Sequence, residues 1–104
     1  IIVVHDNTAS REALDSGCVY TALTGHFHTS KGPYILENGG IEYINGTTAG
    51  ASEGMPTIES KLGKTAEMSI WIFDKDTGRA VSMRTISIDP DGSVKLGDWV
   101  SLQY

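Results

Sequence analysis

The chain opens on four β-branched residues, Ile1 to Val4, directly followed by His5. A continuous run of this kind is typical of a strand covered on both faces, usually inside a sheet. We therefore expect the 104 residues to be part of a longer domain whose preceding half lies beside this strand. In this chain taken alone, the strand edge and its apolar faces should be exposed and should favour self-association.

A short helix and a second strand are predicted next. The pattern favours a helix over residues 9–14, with Asn7 or Thr8 as its cap and a glycine stop three residues after its end. Residues 18–25 are typical of a strand. This order predicts a β-α-β unit with two parallel strands, each followed at its carboxyl end by histidine. Sheets of this type build their functional sites at that end.

The remainder of the chain predicts antiparallel strands. Asn38-Gly39 between two apolar runs indicates a hairpin, and residues 47–64 form a polar, glycine-rich stretch. Residues 66–100 then alternate apolar with polar side chains and predict three antiparallel strands joined by tight turns. The predicted fold class is a β-rich α+β or α/β domain, a β-α-β unit followed by antiparallel strands, in one domain over residues 1–104.

The first of these antiparallel strands is apolar on both faces. Met68, Ile70 and Ile72 alternate with a second set that includes Trp71 and Phe73. This pattern predicts an inner strand. Trp71, Phe73 and Trp99 are expected to be core or partner-packing residues.

Composition excludes several classes of function. Thirteen Asp and Glu against eight Lys and Arg give a net charge of −5, which argues against binding to nucleic acid or anionic lipid. No segment is apolar over the length of a membrane span. The lone Cys18 excludes an internal disulfide, and we expect it in the core as a small apolar group. The cellular compartment stays open.

The histidines are the candidate functional residues. His26 and His28 flank one residue after a strand, and side chains at positions i and i+2 of an extended chain point the same way. Neutral imidazole is a common ligand for zinc, iron and manganese, and Gly25 allows a sharp turn beside the pair. His5, at the neighbouring strand end, would reach the same place. The alternative is that each histidine only satisfies a local hydrogen bond.

Three segments of the sequence, "VVHD", "LTGHFH" and "YINGTTAG", together resemble the C-terminal half of the calcineurin-like metallophosphoesterases. That family carries five motifs: D-x-H, G-D-x-x-D, G-N-H-D/E, a lone histidine ending a strand, and G-H-x-H. The last two match His5 and the stretch from Gly25 to His28. The first three would precede Ile1.

The resemblance implies half of a four-layer αββα sandwich and phosphoester hydrolysis assisted by two divalent ions of the manganese, iron, nickel or zinc class. His5 and His26 would bind one ion and His28 the other, while Asn45, Thr47 and Thr48 would lie near the substrate. The missing carboxylate ligands would come from the N-terminal half of the domain. We therefore expect no catalytic residue within these 104 residues, a partial or empty metal site, and no turnover by this chain alone.

Two alternatives remain at this point. Asp6 could supply a carboxylate, but neighbouring strand side chains point to opposite faces, so a role in a turn or at the helix start is favoured. The chain could instead be a small β-rich binding or structural module without a catalytic role. The identities of the substrate and of the metal stay open.

Overall fold

The structure is a computed structural model that describes residues 1–27, 29–46 and 65–102. Within these ranges the chain forms one helix and eight strands. In chain order they are β1 (Ile2–Val3), α1 (Asn7–Asp15), β2 (Thr21–Thr24), β3 (Lys31–Ile35), β4 (Ile41–Ile44), β5 (Ala66–Phe73), β6 (Ala80–Ile88), β7 (Val94–Leu96) and β8 (Val100–Ser101). The fold is a strand-rich mixture of α and β structure with two sheets, as the sequence pattern predicts.

The first sheet, sheet A, has the strand order β1-β2-β4-β3. β1 pairs with β2 in parallel and β2 pairs with β4 in parallel, whereas β3 and β4 form an antiparallel hairpin. The predicted β-α-β unit and the hairpin at Asn38-Gly39 are both confirmed. Gly39 has a φ of 84°, a left-handed conformation that glycine adopts without the steric cost of a side chain.

Helix α1 begins one residue earlier than a cap at Asn7 would place it, and two residues earlier than a cap at Thr8 would. The cap is Asp6, whose side chain accepts a hydrogen bond of 2.9 Å from the backbone N–H of Thr8. The prediction of Asn7 or Thr8 as the cap is wrong because Asp6, still extended, satisfies one of the first free helix N–H groups. Gly17 follows the helix end with a φ of 76°, as expected for a stop.

The second sheet, sheet B, has the order β5-β6-β7, with β8 also paired to β6. The three predicted antiparallel strands are present, but the prediction that β5 is an inner strand is wrong for the described part of the chain. There β5 pairs with β6 alone, and Met68, Ile70 and Ile72 are 41–45% exposed. The inner strand is β6. Apolar residues on both sides of β5 reflect one face packed on sheet A and one left open.

The two sheets pack against each other through a small apolar core. Ile41 of β4, Ala80 of β6 and Leu102 form its buried centre, and Trp71 and Phe73 pack against it from β5. The predicted core placement is confirmed for Trp71 and Phe73, whereas Trp99 is 47% exposed and lies outside this core. Helix α1 lies on the opposite side of sheet A, where Arg11 reaches Glu42 of β4. The described elements therefore form three layers: helix, sheet A and sheet B.

β1 lies at the edge of sheet A. Among the residues that the structure describes it pairs with β2 alone, and Ile1 and Val3 are 59% and 69% exposed. The predicted open edge is confirmed.

The connection between α1 and β2 differs from the prediction. β2 begins at Thr21 rather than at residue 18, and Cys18 lies in the preceding turn region as an exposed free thiol. Its predicted burial is wrong because the helix stop at Gly17 places it before the sheet.

No helix in the described ranges has the length and apolar character that crossing a membrane requires.

Candidate functional site

The parallel pairing of β1 and β2 brings both strand ends to one corner of sheet A. Beyond β1, the N–H of Val4 donates to the carbonyl of Leu23 at 3.1 Å, and the N–H of Gly25 donates to the carbonyl of His5 at 2.9 Å. The ladder thus continues past both strands and fixes His5 beside the turn that carries His26. The predicted convergence of these two strand ends is observed.

His26 does not continue the strand. Its φ is 77°, and within the described ranges it is the one non-glycine residue with a left-handed backbone. The expectation of an extended backbone through the H-x-H motif is therefore wrong at His26, while the direction of the His28 ring lies outside the described residues. The chain bends here because β2 ends at Thr24 and Gly25 turns beside His5. A left-handed backbone is costly for a residue with a side chain and concentrates at functional sites.

The bend sets the two imidazole rings against each other. His5 Nε2 and His26 Nδ1 are 3.1 Å apart, and the rings meet edge to face with centroids 5.0 Å apart. Both residues are exposed. At this separation one nitrogen donates and the other accepts, since a neutral imidazole has one of each. Two exposed nitrogens converging on one point from two backbone segments can also share a metal ion.

Asp6 adds negative charge to the same corner. A hydrogen bond from the backbone of Thr8, aided by the Thr8 side chain, lowers the pKa of the Asp6 carboxyl, and the two nearby histidines lower it further. The carboxylate is committed to the helix cap, as the sequence argument favoured. It contributes electrostatically to the corner.

Asn45 lies at the carboxyl end of β4, next to the end of β2. Its backbone N–H and its side-chain Nδ2 both donate to the carbonyl of Thr24, at 2.7 and 3.1 Å. Its side-chain oxygen accepts from Ser69 of β5 at 2.5 Å. Asn45 thus connects the two sheets beside the histidine corner. The other predicted site residues, His28, Thr47 and Thr48, lie outside the described residues.

An aromatic residue, Phe27, and a cationic residue, Lys31, lie next to the histidines. The Phe27 ring stands edge to face with the His26 ring, with centroids 5.3 Å apart. The Lys31 ammonium lies 4.7 Å from the centroid of Phe27. An anionic group at the histidine corner would meet this positive charge.

A polar cluster near Gly46 was not predicted from the sequence pattern. Ser30 donates a hydrogen bond to the carboxylate of Glu67, and both lie close to Gly46 and to Tyr43. Burial raises the pKa of the Tyr43 hydroxyl; a hydrogen bond with Ser30 opposes the rise and the charge of Glu67 adds to it. The signal was present in β5, where Glu67 and Ser69 occupy the face that also carries the core residue Trp71.

The donor set fits a transition-metal ion in part. Within the described ranges no group of three or more His, Cys, Asp or Glu side chains converges as a metal site. The pair of His5 and His26 supplies two neutral nitrogen donors, the kind that zinc, nickel, iron and manganese accept.

Comparison of the chain with protein-family models, with curated proteins and with solved structures found no match. The function is therefore inferred from the motif residues and from the geometry of the histidine corner.

Proposed function

We propose that this chain supplies the C-terminal half of a dinuclear metal site in an enzyme that hydrolyses phosphoesters. The observation that carries the proposal is the approach of His5 Nε2 to His26 Nδ1, at 3.1 Å, at the ends of two parallel strands. The residues are those that the resemblance to calcineurin-like metallophosphoesterases selects. Their spacing in the sequence is 21 residues, so the contact depends on the fold.

In this proposal His5 and His26 hold one divalent ion and His28 contributes to the second. Bound ions supply Lewis-acid stabilisation of the negative charge that develops on phosphoryl oxygens. The histidines act as ligands rather than as acids or bases. The carboxylate ligands come from the preceding half of the domain, because two or three neutral imidazoles offset little of the charge of two dications.

The architecture supports the same proposal at a coarser level. One helix layer and two packed sheets are three of the layers that a four-layer αββα sandwich contains. The open edge of β1 is where the strands of the other half would continue the sheet. A chain that includes that half would cover the exposed residues Ile1 and Val3.

A metal titration tests the ligand assignment. Isothermal calorimetry with Co²⁺ or Zn²⁺ should show binding that His26→Asn abolishes, since asparagine tolerates the left-handed backbone of position 26 but lacks the imidazole. Asp6→Ser is the matched control, because serine preserves the helix cap and removes only the carboxylate. Equal binding by wild type and His26→Asn would refute the proposal and favour a binding or structural module.

A catalytic assay tests the reaction. A chain that also carries the three upstream motifs should hydrolyse a chromogenic aryl phosphate with Mn²⁺, Ni²⁺ or Zn²⁺, whereas residues 1–104 alone should not. Ligand variants of the longer chain should be partly rescued by excess metal, because their defect is in occupancy. Robust turnover by the 104 residues alone would contradict the assignment of essential groups to the other half.

A further inference from the structure

The histidine loop, defined as residues 25–27 and 29–30, connects β2 to β3. Gly25 donates to His5 at 2.9 Å, and Phe27 donates back to Gly25 at 3.0 Å; the ring of His26 also meets the ring of His5, with nitrogens 3.1 Å apart. The second bond is within the loop and does not fix its position. The loop nevertheless holds His26 in a left-handed conformation. Both ends of the loop are also linked to sheet B.

The first end is tied to sheet B through Asn45. Ser69 of β5 donates to the side-chain oxygen of Asn45 at 2.5 Å, and the amide of Asn45 donates to the carbonyl of Thr24 at 3.1 Å. Trp71 Nε1 in turn donates to Ser69 Oγ at 2.9 Å, which orients the serine hydroxyl toward Asn45. Thr24 is the residue immediately before the loop. A chain of three hydrogen bonds therefore runs from the core of sheet B to the start of the histidine loop.

The second end is tied directly to sheet B. Ser30, the last residue of the loop, donates to the carboxylate of Glu67 on β5. Gly46 lies close to this pair, with no room for a side chain. A Cβ at position 46 would lie 2.5 Å from Glu67 Oε2 and 2.9 Å from Ser30 Oγ. Tyr43, only 3% exposed, lies against the pair from β4. Three segments of backbone therefore meet at the end of the loop.

Both ties start from the same face of one strand. Glu67, Ser69 and Trp71 alternate along β5, so their side chains point together toward sheet A. We infer that β5 positions the histidine loop from both ends, with Glu67 and Ser69 as positioning residues for His26. The metal-binding part of this inference rests on the proposed function. The mechanical part, that β5 restrains the loop, stands independently of any ligand.

The two sheets therefore have different roles at the histidine corner. Sheet A supplies the ligand side chains at its strand ends, and sheet B restrains the backbone that presents one of them. A partly buried hydrogen bond to a charged group is stronger than one between neutral groups, so the tie through Glu67 should matter more than the tie through Ser69. Groups hydrogen-bonded directly to a metal ligand typically change metal affinity by about 10-fold or more, and Glu67 would act on His26 through the backbone of the loop.

Amide hydrogen exchange of the metal-free chain tests the mechanical part. Glu67→Ala and Ser69→Ala should raise the exchange rates of the Gly25 and Phe27 amides by about 10-fold, while amides of β6 stay protected. Glu37→Ala and Ser82→Ala are the matched controls, on the hairpin turn and on the opposite face of sheet B, and should change neither amide. Unchanged exchange of both loop amides in both β5 variants would overturn the inference.

Three further variants separate positioning from general destabilisation. Glu67→Gln keeps an acceptor for Ser30 and should restore most of the protection that Glu67→Ala loses. Gly46→Ala keeps Glu67 but displaces its carboxylate, and should reproduce the effect of Glu67→Ala. Ser30→Ala removes the donor from the loop side. Failure of Gly46→Ala and Ser30→Ala to loosen the loop would overturn the role of Glu67 even if Glu67→Ala unfolds the chain.

A Co²⁺ titration with absorption spectroscopy tests the metal-binding part. Glu67→Ala should weaken binding about 10-fold and alter the ligand-field spectrum, with recovery in Glu67→Gln. If wild type binds Co²⁺ through His26 and Glu67→Ala binds it equally well, the positioning of the ligand fails and the proposed function stands. If wild type binds none, the metal-binding part fails for this chain, the exchange data alone decide whether β5 restrains the loop, and the catalytic assay of the longer chain decides the proposed function.

Discussion

Sheet A and sheet B differ in how far their apolar residues are buried. Every residue of β4, in the middle of sheet A, is buried, whereas Met68, Ile70 and Ile72 of β5 are 41–45% exposed. Sheet A has α1 on one face and sheet B on the other, while within the described ranges sheet B is packed on one face. Burial therefore follows the number of layers that cover a strand rather than the hydrophobicity of its sequence.

The sheets also differ in the polar groups they carry. Sheet A places two histidines at the ends of β1 and β2, where their rings are exposed. Sheet B places Glu67 and Ser69 on its inner face, where both are partly buried and hydrogen-bonded to sheet A or its connections. Sheet A presents the two exposed imidazoles, and sheet B supplies hydrogen bonds at both ends of the histidine loop.

The largest effect is expected when the same substitution, isoleucine to alanine, is made in each sheet. Ile41→Ala should lower the free energy of unfolding by about 2–5 kcal/mol, because Ile41 is fully buried between the sheets. Ile70→Ala removes the same atoms from a side chain that is 41% exposed and should cost well under half as much. Urea unfolding of both variants gives the difference. Equal losses would show that the outer face of sheet B is covered in solution.

The next largest effect is expected from breaking an ion pair in sheet A and one in sheet B. Glu42 of sheet A is 4% exposed and is held by Arg11 at 3.0 Å, so Arg11→Met leaves a buried carboxylate without its partner. Because the arginine side chain itself is half exposed, we expect a loss of about 1–2 kcal/mol rather than the full cost of a buried pair. Lys95→Met breaks the exposed pair with Asp89 in sheet B and should change the urea midpoint little. A larger shift from Lys95→Met would reverse the comparison.

The open edge of β1 predicts self-association through sheet A. Val4 donates to β2, so the N–H of Val3 points to the free side of the strand, and Val3→Pro removes this donor without breaking the pairing with Leu23. We expect wild type to form dimers at high concentration in sedimentation and Val3→Pro to weaken them about 10-fold. Val94→Lys, on the exposed face of sheet B, is the control and should leave the dimer unchanged. A wild-type monomer at all concentrations would refute the edge contact.

The smallest effect concerns acid stability and belongs to sheet B. Backbone hydrogen bonds from Thr77 and Asp76 lower the pKa of Asp74 in the turn after β5. Because the folded-state pKa lies below the unfolded one, the stabilisation is complete above the unfolded pKa, about 4, and is lost as pH falls through the folded value. Asp74→Asn should therefore lower stability at pH 7 slightly and flatten its decline in acid. Parallel acid titrations of wild type and variant, followed by circular dichroism, would show this; identical curves would exclude a contribution from Asp74.

Much of the local structure was predictable from the residues. The run of β-branched residues, the helix stop at Gly17 and the Asn38-Gly39 turn each act over a few residues, and each appears where predicted. The helix cap was misplaced by one or two residues because Asp6, Asn7 and Thr8 are all good caps. Only the backbone conformation of Asp6, extended while the next residue is helical, decides among them.

The candidate site was predictable in its residues but not in its geometry. The histidines could be selected from the ends of two apolar runs, and parallel pairing predicted that His5 and His26 would meet. The left-handed turn at His26 could not be predicted, because histidine has no preference for that conformation strong enough to read in a sequence. Glu67 lies 41 positions beyond His26 in the sequence. It reaches the histidine loop, at Ser30, because sheet B packs on sheet A.

The sequence by itself determined the order and type of the elements, the β-rich class and the position of the histidines at strand ends, because those features depend on contacts between near neighbours in the chain. Only the tertiary structure decided that β6 rather than β5 is the inner strand of the described sheet B, that Cys18 is exposed, and that β5 holds the histidine loop. Alternation along a strand shows which residues share a face. What covers that face depends on which other layers the whole chain brings against it.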